Sequence, residues 1–198
     1  MPTRPPVIPI TGDDAADRLL EQEPLALLIG MLLDQQVPME WAFKGPYTLR
    51  DRLGGRLDAG EIAGMDQDAF VDVCCEKPAI HRFPAAMARR THELCQILVD
   101  DYDGDAAKIW KGVRSAQVLH DRLRQLPGYG EEKTKIFMAI LAKRFDRRPA
   151  GWEEVAAPFS DAQPRSVADV FSEESLQQVR AWKKKMKAEK KSKQDMPA

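Results

Sequence analysis

A chain of 198 residues, 43% hydrophobic and 31% charged, is long enough for one sizeable core or two small lobes. Its 30 basic and 31 acidic residues leave a formal charge of −1, which by itself neither requires nor excludes a polyanionic partner. The longest apolar run, Leu25 to Leu33, contains Gly30 and falls short of the roughly 20 residues of a membrane span. The beginning of the chain shows no apolar stretch after a basic one, so a cytoplasmic protein without a secretory leader or membrane attachment is expected.

Val, Ile and Thr are too sparse, and strict alternation too rare, for a sheet; the chain should be all-α. Asp13 or Asp14 can cap a first helix that runs to about Gln22. Pro24 suits the first turn of a second helix, apolar all round and therefore central, which should end near Val37 because Pro38 disfavours helical geometry before it. Pro38 is placed to start another helix, and short helices are predicted at Pro46–Leu53, Ala59–Ala63 and Gln67–Cys75. A longer one starts at Pro84 and ends before Gly104, with Arg89, Arg90 and His92 on its solvated face. The next carries Val118, Leu119, Leu123 and Leu126. After a tight turn, Glu131 to Phe145 forms a further helix, and a short one begins near Trp152. Pro158 to Pro164 reads as a linker before a last helix striped by Leu176, Val179, Trp182 and Met186. The division expected is thus 1–158 as the main helical domain and 159–198 as linker, terminal helix and basic tail.

Three cysteines, the adjacent Cys74 and Cys75 and the distant Cys95, cannot build a disulfide framework or a four-ligand zinc or iron–sulfur site. They should be buried, small apolar residues on helices. His81, His92 and His120 show no ligand spacing with them, so no metal site is expected.

The sharpest feature is Leu126-Pro127-Gly128-Tyr129-Gly130-Glu131-Glu132-Lys133-Thr134-Lys135, set between two amphipathic helices. Gly128 and Gly130 let the backbone turn abruptly and approach a neighbour closely. The helix that follows offers free N–H groups and a positive dipole end, which suit a phosphate, and Lys133 and Lys135 can add counter-charge. Glu131 and Glu132 argue for a contact led by the backbone rather than by side-chain charge. A corner that only packs is the alternative reading.

At this point the sequence resembles the helix-hairpin-helix/Gly-Pro/Asp (HhH-GPD) superfamily of base-excision DNA glycosylases, and most resembles a small bacterial branch of it. Leu126 to Gly130 is similar to that family's hairpin. Leu32-Leu33-Asp34-Gln35-Gln36-Val37 is similar to its early motif ending in glutamines, and Arg82-Phe83-Pro84-Ala85-Ala86-Met87-Ala88 to the start of the helix before the hairpin region. The resemblance spans roughly Leu25 to Pro158. It implies two helical lobes with double-stranded DNA across the cleft, a monomer associated with the nucleoid, and rotation of a damaged or mismatched nucleotide out of the stack. It also implies that Gln35 and Gln36 fill the duplex near the vacated place. In that family the hairpin often holds a monovalent cation through backbone carbonyls.

Two departures bear on chemistry. Strand-cutting members carry a Schiff-base lysine two residues after the second hairpin glycine, where this chain has Glu132. Lys133 stands one residue later, rotated about 100° around the helix, so lyase activity is not expected. The family's aspartate follows a proline-containing loop, yet Arg147-Arg148-Pro149-Ala150-Gly151 is followed here by Trp152-Glu153-Glu154. The candidate acids are therefore Glu153, Glu154 and Asp146, and the same glutamates suit the first turn of a helix without any catalytic role. The iron–sulfur cluster of many relatives is excluded by the cysteine count.

His81 and Arg82, just before a helix, could contact a base or a phosphate. The tail from Arg180 through Lys193 carries Lys183, Lys184, Lys185, Lys187, Lys190 and Lys191 with few acids, a run that attracts phosphate backbones or simply solubilises an end. The leading reading is a monofunctional DNA glycosylase without cofactor. A DNA-binding module that has lost its catalytic acid is the alternative, and a helical scaffold a third.

Overall fold

The computed structural model describes residues 7–196. The first six residues, which the sequence reads as carrying no leader, lie outside the described residues, as do Pro197 and Ala198. Among the described residues the chain is all-α, with ten α-helices and no strand beyond one isolated bridge between Ser115 and Ala150. No helix among them is long and apolar enough to cross a membrane.

Helix α1 (Asp14–Gln22) starts where the Asp13 carboxylate accepts from the amides of Ala15 and Ala16. Helix α2 (Pro24–Leu33) has every residue from Leu25 to Leu33 buried, as a centre requires. It stops at Leu33 rather than near Val37. Asp34 caps it, Gln36 takes the left-handed region at φ 58°, and the Gln35 carbonyl is bonded to His81, so the chain leaves the helix axis early. Helix α3 (Met39–Arg52) is one helix through Pro46, where two pieces are predicted. The missing proline bond is tolerated because α3 packs closely on α2: a Cβ on Gly45 would lie 2.5 Å from Leu33 Cδ1.

Helices α4 (Ala59–Gly64) and α5 (Gln67–Cys75) pack on α6 (Pro84–Tyr102). Their cover corrects the reading of His92 as solvated, since it is buried and its Nε2 lies 3.0 Å from the Met65 carbonyl. Cys74 and Cys95 are buried and free as expected, whereas Cys75 is only half-buried. Burial pushes the Cys74 thiol up to about 12.

A short 3-10 turn (Ala106–Ile109) leads to α7 (Ala116–Arg124), α8 (Glu131–Arg144) and α9 (Trp152–Val155). Helix α7 offers Ala116, Leu119 and Leu123 to the core, and Val118 faces solvent instead. Helix α8 is buried from Ile136 to Ala142 because α7 and α9, and a second 3-10 turn (Val167–Asp169), cover different sides of it. The last helix, α10 (Glu173–Ala188), buries its predicted stripe of Leu176, Val179, Trp182 and Met186. The stretch before it is tied to α8: Lys143 Nζ donates to the Asp161 carbonyl and to Asp169, each at 2.6 Å. Arg165, 2% exposed, grips Asp161 and donates to the carbonyls of Lys193 (2.9 Å) and Asp195 (2.7 Å), so the tail folds back on the body. One contiguous core runs from Ile8 to Val179.

The hairpin meets α2 through Tyr129. Its buried hydroxyl donates to the Leu28 carbonyl at 2.8 Å across 101 residues of sequence, and its ring lies edge-on to Phe137. Tyr129→Phe should lower stability by about 1 kcal/mol, the net worth of one buried hydrogen bond. Denaturant unfolding followed by circular dichroism should show a lower midpoint at unchanged slope. An unchanged midpoint would mean that this bond does not tie the hairpin to α2.

Candidate nucleic-acid interface

The hairpin turn is built by its glycines in different ways. Gly128 sits at φ 77°, and a Cβ there would lie 2.6 Å from Leu32 Cδ1, so only glycine lets the turn close onto the end of α2. Gly130 is the residue before α8, at φ −72°, and nothing lies within 4 Å of where its Cβ would be. The space in front of it is open. The amides of Gly130, Glu131, Glu132 and Lys133 find no acceptor among the described residues, which leaves the positive end of a 14-residue helix facing that space.

The acids of this first turn are neutralised. Glu131 meets His120 Nε2 at 3.0 Å and Lys135 at 3.5 Å, and Glu132 meets Lys193 at 3.0 Å. Lys133, expected to face a phosphate, turns inward instead. Its Nζ donates to the Leu32 carbonyl at 2.8 Å, and burial pushes the amine down to about 8 against the pull of Asp34.

Beside the hairpin stands the glutamine corner between α2 and α3. His81 is 1% exposed, so it serves this corner rather than a ligand. The Phe83 amide donates to its Nδ1 (3.0 Å), which places the proton on Nε2, and Nε2 donates to the Gln35 carbonyl at 2.9 Å. Burial holds the imidazole below its ordinary pKa and hence neutral. Arg90, from α6, reaches the Gln35 side-chain oxygen at 3.4 Å. Gln35 is thus held at both ends while Gln36 is exposed. Trp41 and Phe83, 42% and 46% exposed, stand on either side of His81, and exposed Arg82 lies over the Phe83 ring.

The C-terminal arm lies against the same corner. Arg180 Nε donates to Glu40 at 2.7 Å, and Lys183 Nζ lies 3.6 Å from Met39 Sδ, its pKa lowered by burial despite the nearby Asp34. Arg90, Trp41 and the arm's docking were not legible as parts of this surface, because each arrives from a different helix.

The three candidate acids stand apart from one another. Glu153 and Glu154 are exposed on α9, and neither carboxylate has a partner among the described residues. Asp146 is exposed at φ 55°, 3.4 Å from Arg148 Nε, on the wall of a cavity that neither glutamate lines. No three His, Cys, Asp or Glu side chains converge as a metal site among the described residues.

The family model described as HhH-GPD superfamily base excision DNA repair protein matches residues 29–197, and the chain belongs to that family. The match extends through the C-terminal arm, well beyond the hairpin. Searches of curated proteins and of solved structures found no match.

The neutral His81 predicts a pH dependence. Because its folded pKa lies below the unfolded value, its contribution is complete above about 6.5 and is lost as pH falls, when the unfolded imidazole takes a proton that the folded one refuses. Thermal melts from pH 8 to pH 5 (on the order of one unit per step) should show a steeper acid loss for the wild type than for His81→Gln. Parallel curves would show that His81 is not held neutral in the fold.

Proposed function

We propose that this base excision repair protein is a monofunctional DNA glycosylase, which hydrolyses the N-glycosidic bond of a damaged or mismatched base in duplex DNA. The observation that carries the proposal is the open α8 N-terminus, whose unpaired amides stand in the turn that Gly128 packs against α2, a few residues from the exposed glutamine corner. A phosphate approaching Gly130 would accept from those amides, and Gln36, with Gln35 steadied beneath it, would enter the duplex where the target nucleotide has turned out. The exposed faces of Trp41 and Phe83 offer stacking surface near that place.

In this reading water attacks the anomeric carbon as the bond to the base breaks, the sugar passes through an oxocarbenium-like state, and the base leaves with a proton. One carboxylate among Glu153, Glu154 and Asp146 activates the water and steadies the positive sugar. No lysine enters the reaction. Glu132 takes the place of the family's amine and is paired with Lys193, while the Lys133 amine is directed to the Leu32 carbonyl. The exposure of Glu153 and Glu154, with no neighbour fixing either carboxylate, favours a second reading, a non-catalytic DNA binder.

Single-turnover base release from deaminated, oxidised, alkylated and mismatched duplexes separates the two. One of Glu153→Gln, Glu154→Gln and Asp146→Asn should lower release at least about 100-fold with little change in affinity, and borohydride should trap no adduct on abasic DNA. Release that survives all three substitutions would place the acid elsewhere; no release from any duplex, with firm binding, would establish the binder.

Gly130→Val should cost about 1 kcal/mol of stability or less, since its surroundings are open, while weakening duplex binding several-fold. Fluorescence anisotropy across a salt series measures this. Unchanged affinity would remove the hairpin from the interface.

A further inference from the structure

The far end of α7 and α8 from the hairpin holds a second charged feature. Helix α8 has 14 residues, so this end lies about 20 Å from the turn. There the loop into α7 and the loop between α8 and α9 enclose a cavity of about 350 Å³. Lys111 and Arg114 enter it from the first loop, Arg147 and Arg148 from the second, and Asp146 is the one carboxylate on its wall. The loops are stitched together by their backbones, Ala116 N donating to the Ala150 carbonyl (2.9 Å) and Ala150 N to the Arg114 carbonyl (2.8 Å). The cations are therefore brought together by the fold rather than by loose side chains.

Their pairing sets them apart. Arg148 is engaged by Asp146 and by the Ala142 carbonyl at 3.2 Å. The side chains of Lys111, Arg114 and Arg147 have no hydrogen bond or ion pair among the described residues. Like charges gathered around one concavity repel unless an anion joins them, and the field they sum to is focused by the cavity walls.

A second cavity of about 200 Å³ adjoins the first, sharing Trp110 and Arg147, and is otherwise mainly apolar, with Leu27, Leu141 and Phe145 on its walls. Glu21 at its edge accepts from the Val7 amide at 3.3 Å. Trp110 is braced by Phe137, ring centroids 5.7 Å apart. An anion-accepting cavity beside an aromatic, apolar one matches a phosphate joined to a base and sugar.

We propose that this paired cavity binds one nucleotide unit, its phosphate among Lys111, Arg114 and Arg147 and its base against Trp110, as a contact separate from the hairpin. The inference rests on the reading of the protein as a DNA binder for its preferred source of that unit, a nucleic-acid strand; a free nucleotide presents the same chemistry.

The test compares wild type, Arg114→Gln/Arg147→Gln and Trp110→Phe in two titrations, intrinsic tryptophan fluorescence with thymidine monophosphate and anisotropy with a labelled duplex. Circular dichroism melts verify that the variants fold, as expected for exposed cations. The nucleotide should change wild-type fluorescence, with thymidine alone at least about tenfold weaker, and Trp110→Phe should abolish the signal. The double variant should lose about tenfold in nucleotide affinity and about threefold or more in duplex affinity, with a shallower salt slope. Loss of the nucleotide with unchanged duplex affinity would support the site and assign it to free nucleotides. If folded variants bind both ligands as the wild type does, or the wild type binds no nucleotide and the variant's duplex affinity is unchanged, the proposal is overturned. Gly130→Val reports separately on the hairpin, so the two readings fail independently.

Discussion

The seam between the hairpin and the end of α2 is the constraint on which the rest of the interface depends. Gly128 closes onto Leu32, Tyr129 bonds the Leu28 carbonyl, and Lys133 bonds the Leu32 carbonyl. Three neighbouring residues of the turn region thus grip successive turns of a helix about 100 residues earlier in the chain. Because α2 is buried from Leu25 to Leu33, it cannot shift to relieve a misplaced turn. The position of the α8 N-terminus is therefore fixed relative to the glutamine corner that begins where α2 stops.

That corner is a small polar assembly with little freedom left in it. The Phe83 amide fixes the His81 tautomer, His81 fixes the Gln35 backbone, and Arg90 reaches its side chain. Each step orients the next, and burial of the imidazole keeps the chain of bonds in one protonation state. Gln36 is left exposed in a left-handed conformation that the surrounding bonds impose on a residue other than glycine.

The C-terminal arm adds charge control. Arg165, almost wholly buried, fixes the arm's end by donating to the carbonyls of Lys193 and Asp195, and Lys193 in turn neutralises Glu132 in the first turn of α8. Lys183 and Arg180 dock beside Asp34 and Glu40. An N-terminus that the sequence burdens with two acids becomes, in the fold, one whose acids already have partners. Its backbone donors remain free for another anion.

Local chemistry wrote much of the fold into the sequence: the Asp13 cap, the proline at the head of α2, the apolar stripe of α10 and the Gly-Tyr-Gly turn act within a few residues of where they stand. The hairpin and the glutamine corner were legible for the same reason, and so was the family. What only the tertiary structure decided was the side to which each polar residue turns. His81 and Lys133, readable as contacts for DNA, are drawn inward by carbonyls of the corner and of α2, and His92 is buried by the two helices packed over α6. The cavity cations come from loops more than 30 residues apart, joined by backbone bonds that no spacing announces. A local pattern fixes a residue's place along its own helix, but its partner is chosen by long-range packing, because burial makes an unpaired polar group too costly to leave where the helix alone would put it.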